Sequence, residues 1–268
     1  AAASNLVLAF LALVLLTRAR LPWLITVFGI AAGGAVLFQP PMPEHLLLAS
    51  PLRLGPPGAI RFYDVGRSAS VVVLERDGML ALRTNGLPEA LVEMAGTPPK
   101  FSGEFWLSPL ATIANPRATS ILVIGLGGGG VIDGAAPGIR SIDVIELEPK
   151  VLAADRAIGA LRKRDPLGDA RLNIILNDAR GALALTDKRY DAIVSQPSHP
   201  WTAGASHLYT REFMQLARAH LTAQGVFIQW MNIAYLDEAL LRSFAATLLD
   251  VFPELEIYRP DPNTLVFV

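Results

Sequence analysis

From Ser120 to the end of the chain, short apolar segments alternate with amphipathic ones, and this alternation limits the possible folds more than any other feature. Continuous apolar strands separated by helices predict a mostly parallel sheet that is covered on both faces. The predicted strands are residues 121–125, 142–146, 172–176, 192–195, 226–230, 255–258 and 264–268. The clearest predicted helices are residues 149–161, 210–220 and 236–251. The link at 260–263 is too short for a helix, so we expect the last two strands to be antiparallel.

A run of short strand-like segments precedes this region. Within it, Asp77-Gly78 separates two segments, residues 70–75 and 79–83. An Asp-Gly pair is typical of a tight β-hairpin turn, and Asn85-Gly86 marks the next turn. The sequence therefore predicts a small β-rich domain before the α/β region.

The first 43 residues contain only two charged side chains, Arg18 and Arg20. These arginines separate two uncharged segments, residues 1–17 and 21–38, and each segment is just long enough as a helix to cross a bilayer. We therefore expect a transmembrane helical hairpin at the start of the chain. The predicted domains are a transmembrane hairpin at 1–38, a linker at 39–59, a small β-rich domain at 60–116 and an α/β domain at 117–268.

The predicted hairpin has a small-residue face made by Gly29, Gly33 and Gly34, on which a membrane-protein partner could pack closely. A signal peptide is the alternative for the first segment, although no basic residue precedes its apolar core. Arg18 and Arg20 favour a cytoplasmic turn between the spans, which would place the following domain outside the cytoplasm. The chain does not begin with Met, so a fragment of a protein with further spans is a second alternative.

Composition excludes several classes of function. The net charge is −1 and no basic cluster is present, which argues against a nucleic-acid partner. The chain has no cysteine, so disulfides, thiolate nucleophiles and zinc–thiolate sites are excluded. Its four histidines do not have metal-ligand spacing, and its serines are not in a glycine-flanked nucleophile turn, so we predict neither a metal site nor a hydrolase triad.

A glycine-rich turn follows the first strand of the α/β region. Three of its glycines have the G-x-G-x-x-G spacing of backbone that turns close to a ligand: Gly125, Gly127 and Gly130. Glu146 ends the next strand, where an acid can bind ribose hydroxyls, and Asp178 follows the third strand at the same edge of the sheet. We therefore predict a nucleoside pocket at this edge. The alternatives are a solvated Glu146, with Glu148 as its competitor, and an Asp178 that only caps the next helix.

Several motifs together identify a known family. They are RFYD at 61–64, NG at 85–86, VIGLG at 123–127, IELEP at 145–149, DPL at 165–167 with Arg171, NDAR at 177–180, YDAIVSQPSHPW at 190–201 and LYTREF at 208–213. With this set the chain resembles the spermidine synthase family, the polyamine aminopropyltransferases. It is most similar to the membrane-fused spermidine synthase-like branch, in which a hydrophobic segment precedes the synthase domain.

The resemblance implies a class I methyltransferase-like (Rossmann-like) domain that is preceded by a small β-domain. It implies binding of S-adenosylmethionine or decarboxylated S-adenosylmethionine as donor, and transfer of an aminopropyl group to a small amine. By the resemblance, the loop from Gly125 faces the methionine-derived part of the donor and Glu146 holds the ribose. Asp178 and Ala179 would hold the adenine.

The sequence departs from the family where the chemistry occurs. A carboxylate in the loop after the fourth strand of the α/β domain accepts the amine's proton in the family, but Gln196 stands there in this chain. His199 is a candidate substitute base, with a surface histidine as the alternative reading. Tyr63 is retained and could gate the pocket. Three acids are possible amine partners, although acids in such a segment are usually solvated: Glu89, Glu93 and Glu104.

These observations favour a membrane-anchored aminopropyltransferase-like protein. A catalytically inactive spermidine synthase-like subunit, which serves the assembly or stability of a membrane complex, is the second hypothesis. A methyltransferase with another acceptor and a nicotinamide dehydrogenase are the third and fourth. We expect an integral protein of a bacterial inner membrane. The cytosolic donor favours a cytoplasmic domain, whereas Arg18 and Arg20 favour the opposite side.

Overall fold

The computed structural model describes residues 23, 27, 29, 30, 33, 34, 58–100, 102–202, 204–233 and 236–268. The chain forms two compact units, Ala1–Leu46 and Leu47–Val268. The six described residues of the first unit are helical. The rest of the predicted hairpin at 1–38, and almost all of the predicted linker at 39–59, lie outside the described residues. In the described part of the chain, no helix combines the length and apolar character needed to span a bilayer.

The second unit begins with a four-stranded antiparallel sheet in the order β1-β2-β3-β4. Its strands are β1 (Ala59–Val65), β2 (Ser70–Arg76), β3 (Met79–Thr84) and β4 (Leu87–Glu93). Asp77-Gly78 joins β2 to β3, and Asn85-Gly86 joins β3 to β4. All four turn residues have positive φ, between 49° and 78°, as a two-residue type I′ turn requires. Both predicted turns are confirmed.

A seven-stranded sheet follows, in the order β10-β11-β9-β8-β5-β6-β7. Its strands are β5 (Ser120–Ile124), β6 (Ser141–Glu146), β7 (Leu172–Leu176), β8 (Tyr190–Ser195), β9 (Leu221–Asn232), β10 (Ile257–Asp261) and β11 (Thr264–Phe267). The pairs from β7 to β9 are parallel, whereas β11 is antiparallel to both β9 and β10. The predicted mostly parallel sheet and the antiparallel final pair are confirmed.

Helices alternate with the strands of this sheet. They are α1 (Leu107–Ala114), α2 (Gly130–Asp133), α3 (Pro149–Ile158), α4 (Ala179–Ala184), α5 (Arg211–Ala219) and α6 (Glu238–Val251). Side-chain caps start the longer ones: Thr210 accepts from the Phe213 N–H, and Asp237 accepts from the Leu240 N–H. Proline at the first position of α3 supplies a preset φ, and Gly159 directly follows the helix.

Among the described residues, the core consists of two apolar clusters, because buried strands place alternate side chains on opposite faces of the sheet. One cluster joins Ile121 and Val123 of β5 to Val71 and Leu80 of the small sheet. The small sheet therefore packs against the same core as the large one. This packing brings β4 close to the loops at the carboxyl ends of the parallel strands.

Candidate active site

The topological switch point of the sheet lies between the carboxyl ends of β5 and β8. From β5 the chain moves outward through β6 and β7, and it then returns to the other side of β5 as β8. Open α/β sheets bind ligands in the crevice at such a point. Here the crevice is a cleft of about 200 Å³. Gly125 and Gln196, the residues that directly follow β5 and β8, both line it.

Gly125 and Gly127 make the floor of the cleft, and both need the conformational freedom of glycine. Their φ values are +93° and +53°, which side chains with a Cβ rarely adopt. A Cβ on Gly125 would also lie 2.7 Å from the carbonyl oxygen of Gln196. Gly130, the third predicted glycine, begins α2 and does not line the cleft. A Cβ at Gly130 would instead meet the Glu104 side chain at 3.2 Å.

Glu146 ends β6 inside the cleft, and backbone N–H groups orient its carboxylate. Leu126 N donates to Oε2 at 2.9 Å, and Glu148 N donates to Oε1 at 2.7 Å. Burial raises the pKa of Glu146, and these backbone hydrogen bonds oppose the increase. These bonds leave part of the carboxylate's acceptor capacity free, so it can also accept a hydroxyl from a ligand. Glu146 is therefore buried at the cleft and not solvated.

Glu148, two residues after Glu146, is engaged in hydrogen bonds within the protein. Its carboxylate accepts from Ser68 N at 2.8 Å, from Ser68 Oγ at 2.7 Å and from Lys150 N at 3.0 Å. Burial raises its pKa, but these hydrogen bonds outweigh burial and hold the pKa below its usual value. Glu148 therefore fixes the turn between β1 and β2 to the start of α3.

Asp178 and Ala179 line the cleft beyond β7. Asp178 Oδ2 accepts from Gly181 N at 2.8 Å and caps α4. Asp178 therefore caps the helix, as the alternative interpretation of the sequence expected, and it also lines the cleft. The cleft wall also contains apolar side chains, among them Ile145, Leu147 and Leu208, against which a flat ring can lie. Glycine backbone, a fixed acid and apolar walls together fit a nucleoside.

The loop after β8 carries Gln196 into the cleft and turns His199 away from it. Gln196 Nε2 donates to the Gly125 carbonyl at 3.3 Å, and its buried Oε1 has no partner in the described chain. His199 is 5% exposed, does not line the cleft and stacks on Trp201 with ring centroids 4.7 Å apart. Burial lowers the pKa of His199, and a hydrogen bond to the Pro88 carbonyl opposes this. His199 therefore packs the loop, away from the place where a substitute base would act.

Tyr63, the predicted gate, also lies away from the cleft. It is on β1 opposite Val72, is 40% exposed and does not line the cleft. Glu93 accepts from Lys100 N at 2.5 Å and pairs with Lys163, likewise outside the cleft. Of the three acids considered as amine partners, only Glu89 and Glu104 line the cleft.

Glu89 and Glu104 are the acids whose burial the sequence did not reveal. Burial raises the pKa of Glu89 to about 7, against hydrogen bonds from Thr84 and Ser198 that lower it. Burial raises the pKa of Glu104 to about 8, and the negative charge of Glu89 adds to this increase. Neither residue belongs to a motif. Only the packing of the small sheet against the loops shows that these carboxylates are desolvated together.

Comparison with known proteins identifies a family and several relatives that match this chain. The family described as the spermine/spermidine synthase domain matches residues 106–259. A polyamine aminopropyltransferase of Moorella thermoacetica is 30% identical over 158 residues, which are 56% of this chain and 52% of that protein. Polyamine aminopropyltransferase 1 of Pseudomonas aeruginosa is 24% identical over 60% of this chain and 56% of that protein. The chain thus spans about half the length of these curated relatives.

Solved structures support the fold. A spermidine synthase in complex with the transition-state analogue AdoDATO has a TM-score of 0.68 and 17% identity, over 78% of this chain and 72% of that one. The spermidine synthase of Thermotoga maritima has a TM-score of 0.66 and 18% identity, with the same coverage. The resemblance predicted from the motifs is confirmed, and the chain belongs to the spermine/spermidine synthase domain family.

Proposed function

We propose that this chain binds decarboxylated S-adenosylmethionine in the cleft and transfers its aminopropyl group to a small amine. The observation that carries the proposal is the composition of the cleft. One side offers the glycine turn, Glu146 and Asp178, which suit a nucleoside. The other side offers two half-buried carboxyl groups, Glu89 and Glu104, which suit cationic amino groups.

In the proposed complex each residue acts by binding and orientation. The backbone at Gly125 and Gly127 approaches the sulfonium end of the donor, and Glu146 accepts hydrogen bonds from the ribose hydroxyls. Asp178 and Ala179 contact the adenine. The amine nitrogen attacks the carbon beside the sulfur, and the carbon–sulfur bond breaks to leave methylthioadenosine. Holding both reactants in one cleft turns a bimolecular step into an effectively unimolecular one.

Titration calorimetry and product analysis test the proposal. We expect the full chain to bind methylthioadenosine and decarboxylated S-adenosylmethionine, and to release methylthioadenosine when a diamine is added. Glu146→Gln should weaken nucleoside binding at least tenfold, because one backbone N–H would then face an amide NH₂. Glu212→Gln, at an exposed position of α5, is the matched control. No nucleoside binding by the wild-type chain would refute the proposal.

A second candidate function is a catalytically inactive subunit. Gln196 favours it, because a neutral amide stands where the family has a proton acceptor. The two candidates differ in one measurement. A chain that binds methylthioadenosine but forms no product from any amine fits the inactive subunit, whereas turnover excludes it.

Membrane attachment is a separate proposal, supported by the absence of charge from residues 21–38. We expect the chain to stay with membranes after carbonate washing, and a version without the first 43 residues to be released. Because the chain has no cysteine, one introduced at the exposed Ser206 reports the side of the domain through a membrane-impermeant maleimide. Labelling only after cell lysis would indicate the cytoplasmic side, and labelling of intact spheroplasts the opposite side, which Arg18 and Arg20 favour.

A further inference from the structure

Glu89 lies at an irregularity of the small sheet. Leu82 of β3 is opposite Ala90 of β4, but the next residue of β3, Arg83, is opposite Pro88. Glu89 is therefore the extra residue of a β-bulge. Bulges re-aim side chains and are common beside active sites. Glu89, at the bulge, lines the cleft, whereas its neighbour Ala90 packs in the core.

Two hydroxyl groups hold the Glu89 carboxylate in place. Thr84 Oγ1 donates to its Oε1 at 2.5 Å, and Ser198 Oγ donates to the same atom at 2.7 Å. Ser198 is in the loop after β8, and its own carbonyl accepts the hydroxyl of Tyr209 at 3.1 Å. The carboxylate is thus fixed to the loop that carries Gln196, two residues away from that amide.

In the described part of the chain, no Lys, Arg or His forms an ion pair with Glu89, whereas nine other ion pairs are present there. Glu104, Glu146 and Tyr209, none of which is cationic, are titratable groups that interact electrostatically with it. A desolvated carboxylate among other acids binds a cation or takes up a proton. An ammonium group bound in the cleft supplies both a positive charge and a proton that can be transferred.

We propose that Glu89 is the proton acceptor for the attacking amine, in place of the carboxylate that Gln196 replaces. This inference rests on the proposed aminopropyl transfer. The ammonium group of the acceptor gives one proton to the Glu89 carboxylate and becomes a neutral amine. The nitrogen lone pair forms the new carbon–nitrogen bond while the carbon–sulfur bond breaks and its electron pair stays on sulfur. The product is a secondary ammonium ion, and Glu89 later returns its proton to water.

The position of Glu89 explains how the reaction can proceed without an acid at position 196. Gln196 keeps one hydrogen bond to the glycine turn and cannot accept a proton. Glu89 reaches the same cleft from β4, and burial raises its pKa to about 7, which suits a base near neutral pH. Glu104 lines the same cleft, and a cationic substrate would favour its ionised form.

The test compares Glu89→Gln with Glu93→Gln, which changes the next acid of β4 outside the cleft. For Glu89→Gln we expect kcat to fall at least about 100-fold, while the affinity for methylthioadenosine changes less than twofold. Glu93→Gln should stay within twofold in both. The wild-type rate should rise with pH through about 7, and Glu89→Gln should lose this dependence. Glu89→Asp should keep the dependence at a reduced rate, and it replaces Glu89→Gln if that variant fails to fold.

The outcomes separate the two proposals. If Glu89→Gln retains wild-type kcat and pH dependence, the role of Glu89 is refuted and the proposed function stands. If the wild-type chain binds methylthioadenosine but turns over no amine, aminopropyl transfer fails and the role of Glu89 fails with it. If the wild-type chain binds no nucleoside, the assignment of the cleft itself is wrong.

Discussion

Arg162 and Asp155 form a buried ion pair beneath the glycine turn. A substitution that breaks this pair tests how much it contributes to the stability of the fold. Their side chains are 1% and 0% exposed, with Nη1 and Oδ1 3.1 Å apart. The other terminal nitrogen of Arg162 donates to the Gly128 carbonyl at 2.5 Å. The pair therefore supports the turn that carries the predicted nucleoside site.

Arg162→Met removes the positive charge and keeps most of the volume. Asp155 would then be buried without a counter-charge and would have to take up a proton to stay folded. In the native chain burial already raises the pKa of Asp155 from 3.8 to about 7, although Arg162 acts to lower it. At pH 5 this carboxyl is therefore neutral with or without Arg162. Loss of Arg162 raises the pKa further, so the variant loses stability relative to the wild-type chain as pH rises above about 7. With Asp155 still neutral in the variant at pH 9, the two pH units above 7 add a loss of about 2.7 kcal/mol. Loss of the bond to Gly128 adds about 1–3 kcal/mol at both pH values.

Urea denaturation, followed by tryptophan fluorescence at pH 5 and pH 9, measures this effect. We expect the wild-type chain to exceed Arg162→Met in stability by about 2–3 kcal/mol more at pH 9 than at pH 5. Adding Asp155→Leu should recover most of the charge-related loss. Arg242→Met breaks an exposed ion pair with Glu238 and should cost less than about 0.5 kcal/mol. Equal losses from Arg162→Met at the two pH values would refute the reasoning.

Three further predictions concern the cleft and its support. Gly125→Ala should weaken methylthioadenosine binding at least tenfold in calorimetry, whereas Gly96→Ala, at φ +80° with open space around it, should not affect binding. Asp178→Ala should lower the free energy of unfolding by about 1 kcal/mol because the helix loses its cap, whereas Asp178→Asn should keep both the cap and this stability. Equal urea midpoints for the two variants would contradict this prediction. Burial lowers the pKa of His199. The contribution of its neutral side chain to the free energy of unfolding is therefore present above the ordinary pKa of 6.5 and is lost as pH falls below that value. The melting temperature of the wild-type chain should therefore fall relative to that of His199→Phe between pH 7.5 and pH 5, and a constant difference would show that His199 is not held neutral.

Local sequence was sufficient for the order of the elements and for the edge at which the cleft forms. Apolar alternation and turn chemistry act over a few residues, so the type I′ turn at Asp77-Gly78 and the parallel strands could be predicted directly. The ends of β5, β6 and β7 were predicted to within one residue, and the carboxyl ends of parallel strands share one edge. Gly125, Glu146 and Asp178 were therefore expected near one another, and all three line the cleft. Strand ends were less exact, since β9 extends to Leu221–Asn232.

Only the tertiary structure decided the roles of the remaining polar side chains, because desolvation depends on which distant segments pack together. Glu89 was indistinguishable in sequence from a solvated acid until a bulge of β4 and the loop after β8 enclosed it. His199 has the chemistry of a base, but packing against Trp201 buries it outside the cleft. The sequence determined which groups are present at the edge of the sheet. Contacts between residues about a hundred positions apart, such as Ser198 with Glu89, decided which of these groups a substrate can meet.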